Sequence, residues 1–258
     1  MEFAKNPAAE ALNKVPQVTL AFWVIKIMST TVGETGADYL AVHAGLGKLV
    51  TNGITLTLLM VALMFQTRAS RYVPWIYWLT VVLVSVVGTQ ITDALTDGMD
   101  VSLYITTPIF AAALAATFAV WYATERTLSI HTIATRQREF FYWTAILLTF
   151  ALGTAAGDLA TEAVGLGFKL GVIVFGMMIA LVTAAYCLGA NAVLCFWVEY
   201  ILTRPLGASL GDLLSQAREY GGLGFGSVYT SLGFLTVIVA IVAYLTMHDR
   251  STVADERA

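Results

Sequence analysis

Charge is scarce in this chain. Only 12% of its 258 residues are Asp, Glu, Lys or Arg, whereas a soluble domain carries roughly one quarter. Together with 58% hydrophobic residues and a mean hydropathy of +0.77, this excludes an ordinary water-soluble domain. A net charge of −3 and the absence of any basic stripe exclude a nucleic-acid-binding surface. Cysteine is limited to Cys187 and Cys195, in apolar surroundings and not as a C-x-x-C pair. They read as buried structural thiols, not a redox or zinc site. The chain has no G-x-x-x-x-G-K-[ST] phosphate loop and no H-E-x-x-H zinc motif. No enzymatic activity is expected. The glycines of 222–233 read as helix-packing residues, and Met177 and Met178 as packing residues.

What the chain has in place of charge is apolar length. Segments at about 17–38, 49–66, 73–93, 101–123, 140–160, 168–188, 190–212 and 226–247 approach the ~20 residues that span a bilayer. The expected fold is all-α, a polytopic membrane bundle of eight transmembrane helices. Residues 1–16 form an N-terminal tail that lacks the apolar core of a cleaved signal peptide. Residues 17–123 hold the first four helices, 124–139 a polar link, 140–247 the second four helices, and 248–258 a C-terminal tail. Lys5, Lys14, Arg68, Arg71, Arg126, Arg136, Arg138, Arg250 and Arg257 fall on one side, and only Lys48, Lys169 and Arg218 on the other. The positive-inside rule puts both termini in the cytoplasm. The opposite mouth is acidic, with Asp97, Asp100, Glu162 and Glu219.

A repeat organises these segments. Trp23, Trp78, Trp143 and Trp197 each follow another aromatic: Phe22, Tyr77, Tyr142 and Phe196. Ten residues beyond each tryptophan is a glycine (Gly33, Gly88, Gly153, Gly207), and fifteen beyond it an aspartate (Asp38, Asp93, Asp158, Asp212). Each unit is a pair of helices with the motif on the first. An even number of helices per unit makes all four copies parallel. Four units around one axis, or two pairs of units, both satisfy this spacing.

On these residues the chain resembles the bacterial membrane proteins built from four tandem copies of a repeat of unknown function. Each copy there has two transmembrane helices and a characteristic tryptophan. The resemblance covers about residues 17–247. It implies the eight-helix architecture and leaves the activity to be argued from the side chains.

The motif suggests cation chemistry. An ionisable residue in or near a membrane is a functional candidate by default. Glu34/Asp38, Asp93/Asp97 and Asp158/Glu162 are pairs four residues apart, which share a face if the helix continues. Carboxylates so close must share a proton or hold a cation between them. Thr31, Thr35, Thr89, Thr92, Thr154 and Thr161 add the oxygen donors that Mg²⁺, Mn²⁺ or Ca²⁺ prefers. The small residues before each aspartate suit an unwound or kinked helix facing a cavity. The competing reading makes Trp an interfacial belt residue, Gly a packing residue and Asp a helix end near water.

The remaining intramembrane charges need partners. Lys26 is expected to pair with Glu199 or with a motif carboxylate. Arg204 is expected to neutralise Asp212, to act as a fixed cation, or to snorkel to an interface; Pro205 after it frees a carbonyl one turn earlier. His43 is a candidate adjunct to an outer metal site, while His131 and His248 read as solvated.

The expected function is a transporter or channel for a small cation, divalent or proton-coupled, with the Asp motifs lining a shared polar site. The alternative is a non-transporting metal-binding sensor or a regulator of another membrane protein. The expected partners are the lipid bilayer and a small cation, with a homo-oligomer left open. The aromatic, apolar half of each repeat is the weak point of the transport reading.

Overall fold

The structure is a computed structural model. It describes residues 13–38 and 47–255, of which 34, 36–38 and 248–255 are described by backbone alone. Eight long helices account for most of it: α1 (Leu20–Asp38), α2 (Lys48–Arg68), α3 (Pro74–Thr96), α4 (Leu103–Glu125), α5 (Arg136–Asp158), α6 (Gly167–Cys187), α7 (Ala192–Ser215) and α8 (Ser227–Asp255). No strand occurs among the described residues.

Local chemistry sets the helix ends. Pro74 opens α3 in the first turn, where its missing amide hydrogen has no helical partner to lose. Ser102, Thr135 and Asn191 cap α4, α5 and α7; the Asn191 side chain accepts from the Leu194 amide at 3.0 Å. Arg126 ends α4 in the left-handed region at φ 57°.

The motif-bearing helices α1, α3, α5 and α7 form a ring, each packed on the next and α7 packed back on α1. The four units therefore surround one axis. The second helix of each unit lies outside and packs mainly on the motif helix of the following unit: α2 on α3, α4 on α5, α6 on α7 and α8 on α1.

The motif glycines are the contact points of the ring. A Cβ on Gly33 would collide with the Ser85 side chain, and one on Gly153 with Arg204. A Cβ on Gly88 would lie 2.6 Å from Phe150 Cβ, and one on Gly207 2.7 Å from Thr30 Cβ. Thr30, Ser85, Phe150 and Arg204 each stand three residues before the glycine of their own unit, so the same contact recurs at all four joints. One turn further on, a second tier follows the same rule. The Thr92 hydroxyl donates to Ala151 O at 3.0 Å, while Cβ atoms on Gly157 and Gly211 would meet Pro205 and Thr31 at 3.2 and 3.0 Å. Small residues one turn apart let helix backbones approach closely.

The expectation of unwound motif helices is thus corrected. All four run unbroken through the glycine, and the small residues serve packing. The one departure is a π-turn, Leu159–Ala163, directly after Asp158.

Six of the eight helices are long and apolar enough to cross a membrane: α2, α3, α4, α5, α6 and α8. The other two belong to the ring. α7 carries Glu199, Arg204 and Asp212, and the apolar part of α1 is short. The outer helices present Leu58, Met60, Ile109, Met177, Leu181 and Val239 outward. Met177 and Met178 are exposed there instead of packing in the core, and Cys187 is exposed while Cys195 is buried. In 222–233 the first glycines form a loop, with positive φ at Gly224 and Gly226, and Gly233 touches nothing.

The tryptophan end of the ring is closed. Residues 13–16 and the 124–139 link fold across it, with Val15, Ile130 and Ile133 joining the core. The Lys14 amide donates to Ile133 O, and Lys14 Nζ pairs with Glu139 at 2.8 Å and donates to Thr67 O at 3.1 Å.

Candidate functional site

Positions four residues apart on each ring helix stack toward the axis, and four such tiers can be followed from the closed end. The first holds Phe22, Tyr77, Tyr142 and Phe196, all buried, with the Tyr77 and Tyr142 hydroxyls 2.5 Å apart. Trp78, Trp143 and Trp197 are buried beside them, and the Trp197 indole donates to Leu128 O at 3.0 Å. They pack inside the bundle instead of forming an interfacial belt, and only Trp23 is part-exposed.

The second tier holds Lys26, Val81, Ile146 and Tyr200. Lys26 is buried, 1% exposed, with Nζ 3.4 Å from Thr30 Oγ1. Its ammonium lies over the rings of Phe150 and Tyr200, at 4.1 and 4.3 Å from their centroids. Phe150 belongs to the unit opposite, so Lys26 reaches the axis.

The third tier holds Thr30, Ser85, Phe150 and Arg204. Arg204 is 0% exposed, and its guanidinium donates to Thr89 on the opposite ring helix. It neither snorkels nor sits at a surface; it spans the bundle. The fourth tier follows the motif glycines and holds Thr89, Thr154 and Ala208. The Glu34 and Asp38 side chains and His43 lie outside the described residues, as does the environment of His248.

The Lys26–Glu199 pair does not form. Glu199 lies toward the outer side of α7, where it accepts from the Thr183 hydroxyl of α6 at 2.7 Å. One residue separates their repeat registers: Lys26 stands three past its tryptophan and Glu199 two, which turns them apart by about 100°.

The other acidic residues divide. Asp93, Asp158 and Asp212 are half-buried at the other end of the ring, and each engages a further group. Asp97 is exposed and pairs with Lys48 at 3.1 Å, so it does not face Asp93 as a co-ligand. Glu162, four residues beyond Asp158, falls within the π-turn and is exposed. Among the described residues, no three of His, Cys, Asp and Glu gather as metal ligands. The threonines are engaged with backbone: Thr31 donates to Gly207 O, Thr35 to Thr31 O, Thr89 to Ser85 O, Thr154 to Phe150 O and Thr161 to Gly157 O. His131 is exposed, as expected.

Sequence reasoning missed the hydroxyls of this aromatic cluster: those of Tyr77 and Tyr142 meet each other, and the buried Tyr200 hydroxyl has no hydrogen-bond partner among the described residues. The Ser29 and Ser85 hydroxyls are likewise unpartnered there. Counting back from each glycine in helical steps of three and seven would have found Ser85 and Tyr200. Nothing in the local sequence signalled that Glu139 would be buried against Lys14.

No curated protein and no solved structure matches the chain. The Repeat of Unknown Function (DUF347) matches it four times, at residues 21–72, 76–127, 141–189 and 195–251. Each match takes in one ring helix and the outer helix after it, so the chain belongs to the family built from this repeat.

Proposed function

We propose that the protein is an eight-span integral membrane protein that moves protons along its axis, either alone or coupled to a small cation. Its tryptophan end would face the cytoplasm of a bacterial inner membrane, on the basic side of the chain.

The observation that carries this reading is Lys26. A basic side chain at the centre of an apolar bundle is costly to keep, and no carboxylate pairs with it among the described residues. It stands between two sets of buried exchangeable groups. Toward the aspartate end are Thr30, Arg204 and Thr89, then the aspartate tier. Level with it is Tyr200, and toward the closed end are Tyr142 and Tyr77, then the buried Glu139. The half of the bundle that reads as aromatic and apolar is therefore threaded by hydroxyls. Unpartnered buried hydroxyls are also where bridging water would complete such a thread. The aspartates would concentrate cations at the mouth instead of ligating a metal.

Reconstituted liposomes containing a pH-sensitive dye test the reading, with a potassium diffusion potential as the driving force. Wild type is expected to acidify or alkalinise the lumen according to the sign of the potential, and Lys26→Met to abolish the flux. Equal flux in wild type, Lys26→Met and protein-free vesicles would overturn it.

One observation favours the second reading, a non-transporting sensor or regulator. Residues 13–16 and the link cover the tryptophan end of the ring, against a path that must reach both sides. Divalent-cation titration of thermal unfolding distinguishes it: a sensor gains stability from one ion without any flux.

A further inference from the structure

A cleft of about 610 Å³ opens on the side of the bundle, away from the axis. It lies between α1 and α7, with α6 as one wall and the 124–139 link as its floor. Its size falls in the range of small-molecule sites, roughly 300–1,000 Å³. The lining is mostly apolar and aromatic. Trp23 and Phe196 contribute ring faces 5.7 Å apart and tilted at 42°, and Ser129 and His131 mark the edge formed by the link.

The single acidic group in this cleft is Glu199. The equivalent positions in the other units are Ile25, Thr80 and Ala145, and all three are 0% exposed. Glu199 alone is part-exposed, on a helix otherwise apolar at that depth. Its described partner is the Thr183 hydroxyl, and no cation among the described residues pairs with it. A carboxylate in an apolar cleft without a counter-charge is complementary to a cation supplied from outside. Aromatic faces beside it stabilise an organic cation further. The cleft's volume far exceeds that of a bare ion.

We propose that this cleft binds an amphipathic organic monocation, with an apolar body against α6 and α7 and its charge held by Glu199, Trp23 and Phe196. The site is separate from the axis and does not rest on proton movement through Lys26. Glu199 is the counter-ion, the two aromatic rings shape the charge pocket, and the apolar lining selects against hydrated inorganic ions.

Tetraphenylphosphonium and tetraphenylborate test it, because they share size and shape and differ in charge. Binding of each to the full chain in nanodiscs is measured by equilibrium dialysis, with empty nanodiscs subtracted. Saturable binding of the cation and none of the anion is expected. Glu199→Gln keeps an oxygen for Thr183 and is expected to weaken cation binding about tenfold or more. Ile27→Trp fills the cleft without touching the charge and is expected to do the same, which guards against a misfolded Glu199→Gln. Lys26→Met is expected to bind as wild type does. Saturable binding of both ions alike, undiminished binding by Glu199→Gln and Ile27→Trp, or loss in Lys26→Met alone would each overturn the proposal.

Discussion

Gly207 rests against Thr30, and through that contact the last unit of the chain meets the first. A Cβ on Gly207 would lie 2.7 Å from Thr30 Cβ and 2.9 Å from Ile27 O. Gly207→Ala therefore forces two packed helices apart, at a cost of about 1–3 kcal/mol. Gly53, on the outer face of α2, has nothing within 4 Å. Gly53→Ala is expected to be neutral or stabilising by up to about 1 kcal/mol, because alanine holds a helix better than glycine. Thermal unfolding of both variants in detergent checks the contrast; equal midpoints would contradict the ring contact.

Lys14 and Glu139 form a buried pair at 2.8 Å that fastens the tail to the base of α5. Lys14→Met leaves Glu139 charged and uncompensated, a loss of about 3–5 kcal/mol in local closure. The paired change Lys14→Met with Glu139→Leu is expected to recover most of it. Hydrogen exchange reads this at the Lys14 and Tyr72 amides, which donate to Ile133 O and Asn13 O. Protection should fall in the single variant and return in the double one.

Tyr142→Phe removes one side of a hydroxyl pair 2.5 Å across and leaves the Tyr77 hydroxyl buried alone. The stability cost is about 1–3 kcal/mol, and removing both hydroxyls together should cost less than removing one. Flux separates this effect from function. Both the single and the double variant should conduct protons poorly, although the double variant is the more stable. Normal flux in the double variant would remove the tyrosines from the path.

Lys48 and Asp97 meet at 3.1 Å with both side chains more than half exposed. Such a pair contributes about 0–1 kcal/mol and weakens with salt. Asp97→Asn should leave the unfolding midpoint and the proton flux unchanged, whereas a role for Asp97 as a cation ligand predicts a loss in both.

The fourfold repeat was legible because tryptophan, glycine and aspartate recur at fixed spacing, and spacing survives without knowledge of contacts. The closure around one axis was not, because the same spacing also permits two separate pairs of units. What decides closure is Thr30 against Gly207, a contact between residues from opposite ends of the chain. The Asp93/Asp97 pairing was not legible for a related reason. Its four-residue spacing was real, but α3 ends at Thr96, which releases Asp97 to Lys48. Lys26 and Arg204 were singled out correctly as charges in need of accommodation. Their surroundings come from opposite repeats, Phe150 for one and Thr89 for the other, and local pattern carries no information about what lies across an axis.

The outer helix of each unit leans on its successor, and the last leans on the first. The protein is thus a hoop of interleaved clasps in which no link is self-sufficient. A lone two-helix unit has no inner surface of its own for its second helix, so it can bury that helix only by lending it to another copy. The smallest self-contained object this repeat can build is a closed circle. Where the chain begins is then a matter of covalent convenience: α8 already lies on α1, and joining the ends while opening another outer loop would leave every clasp in place.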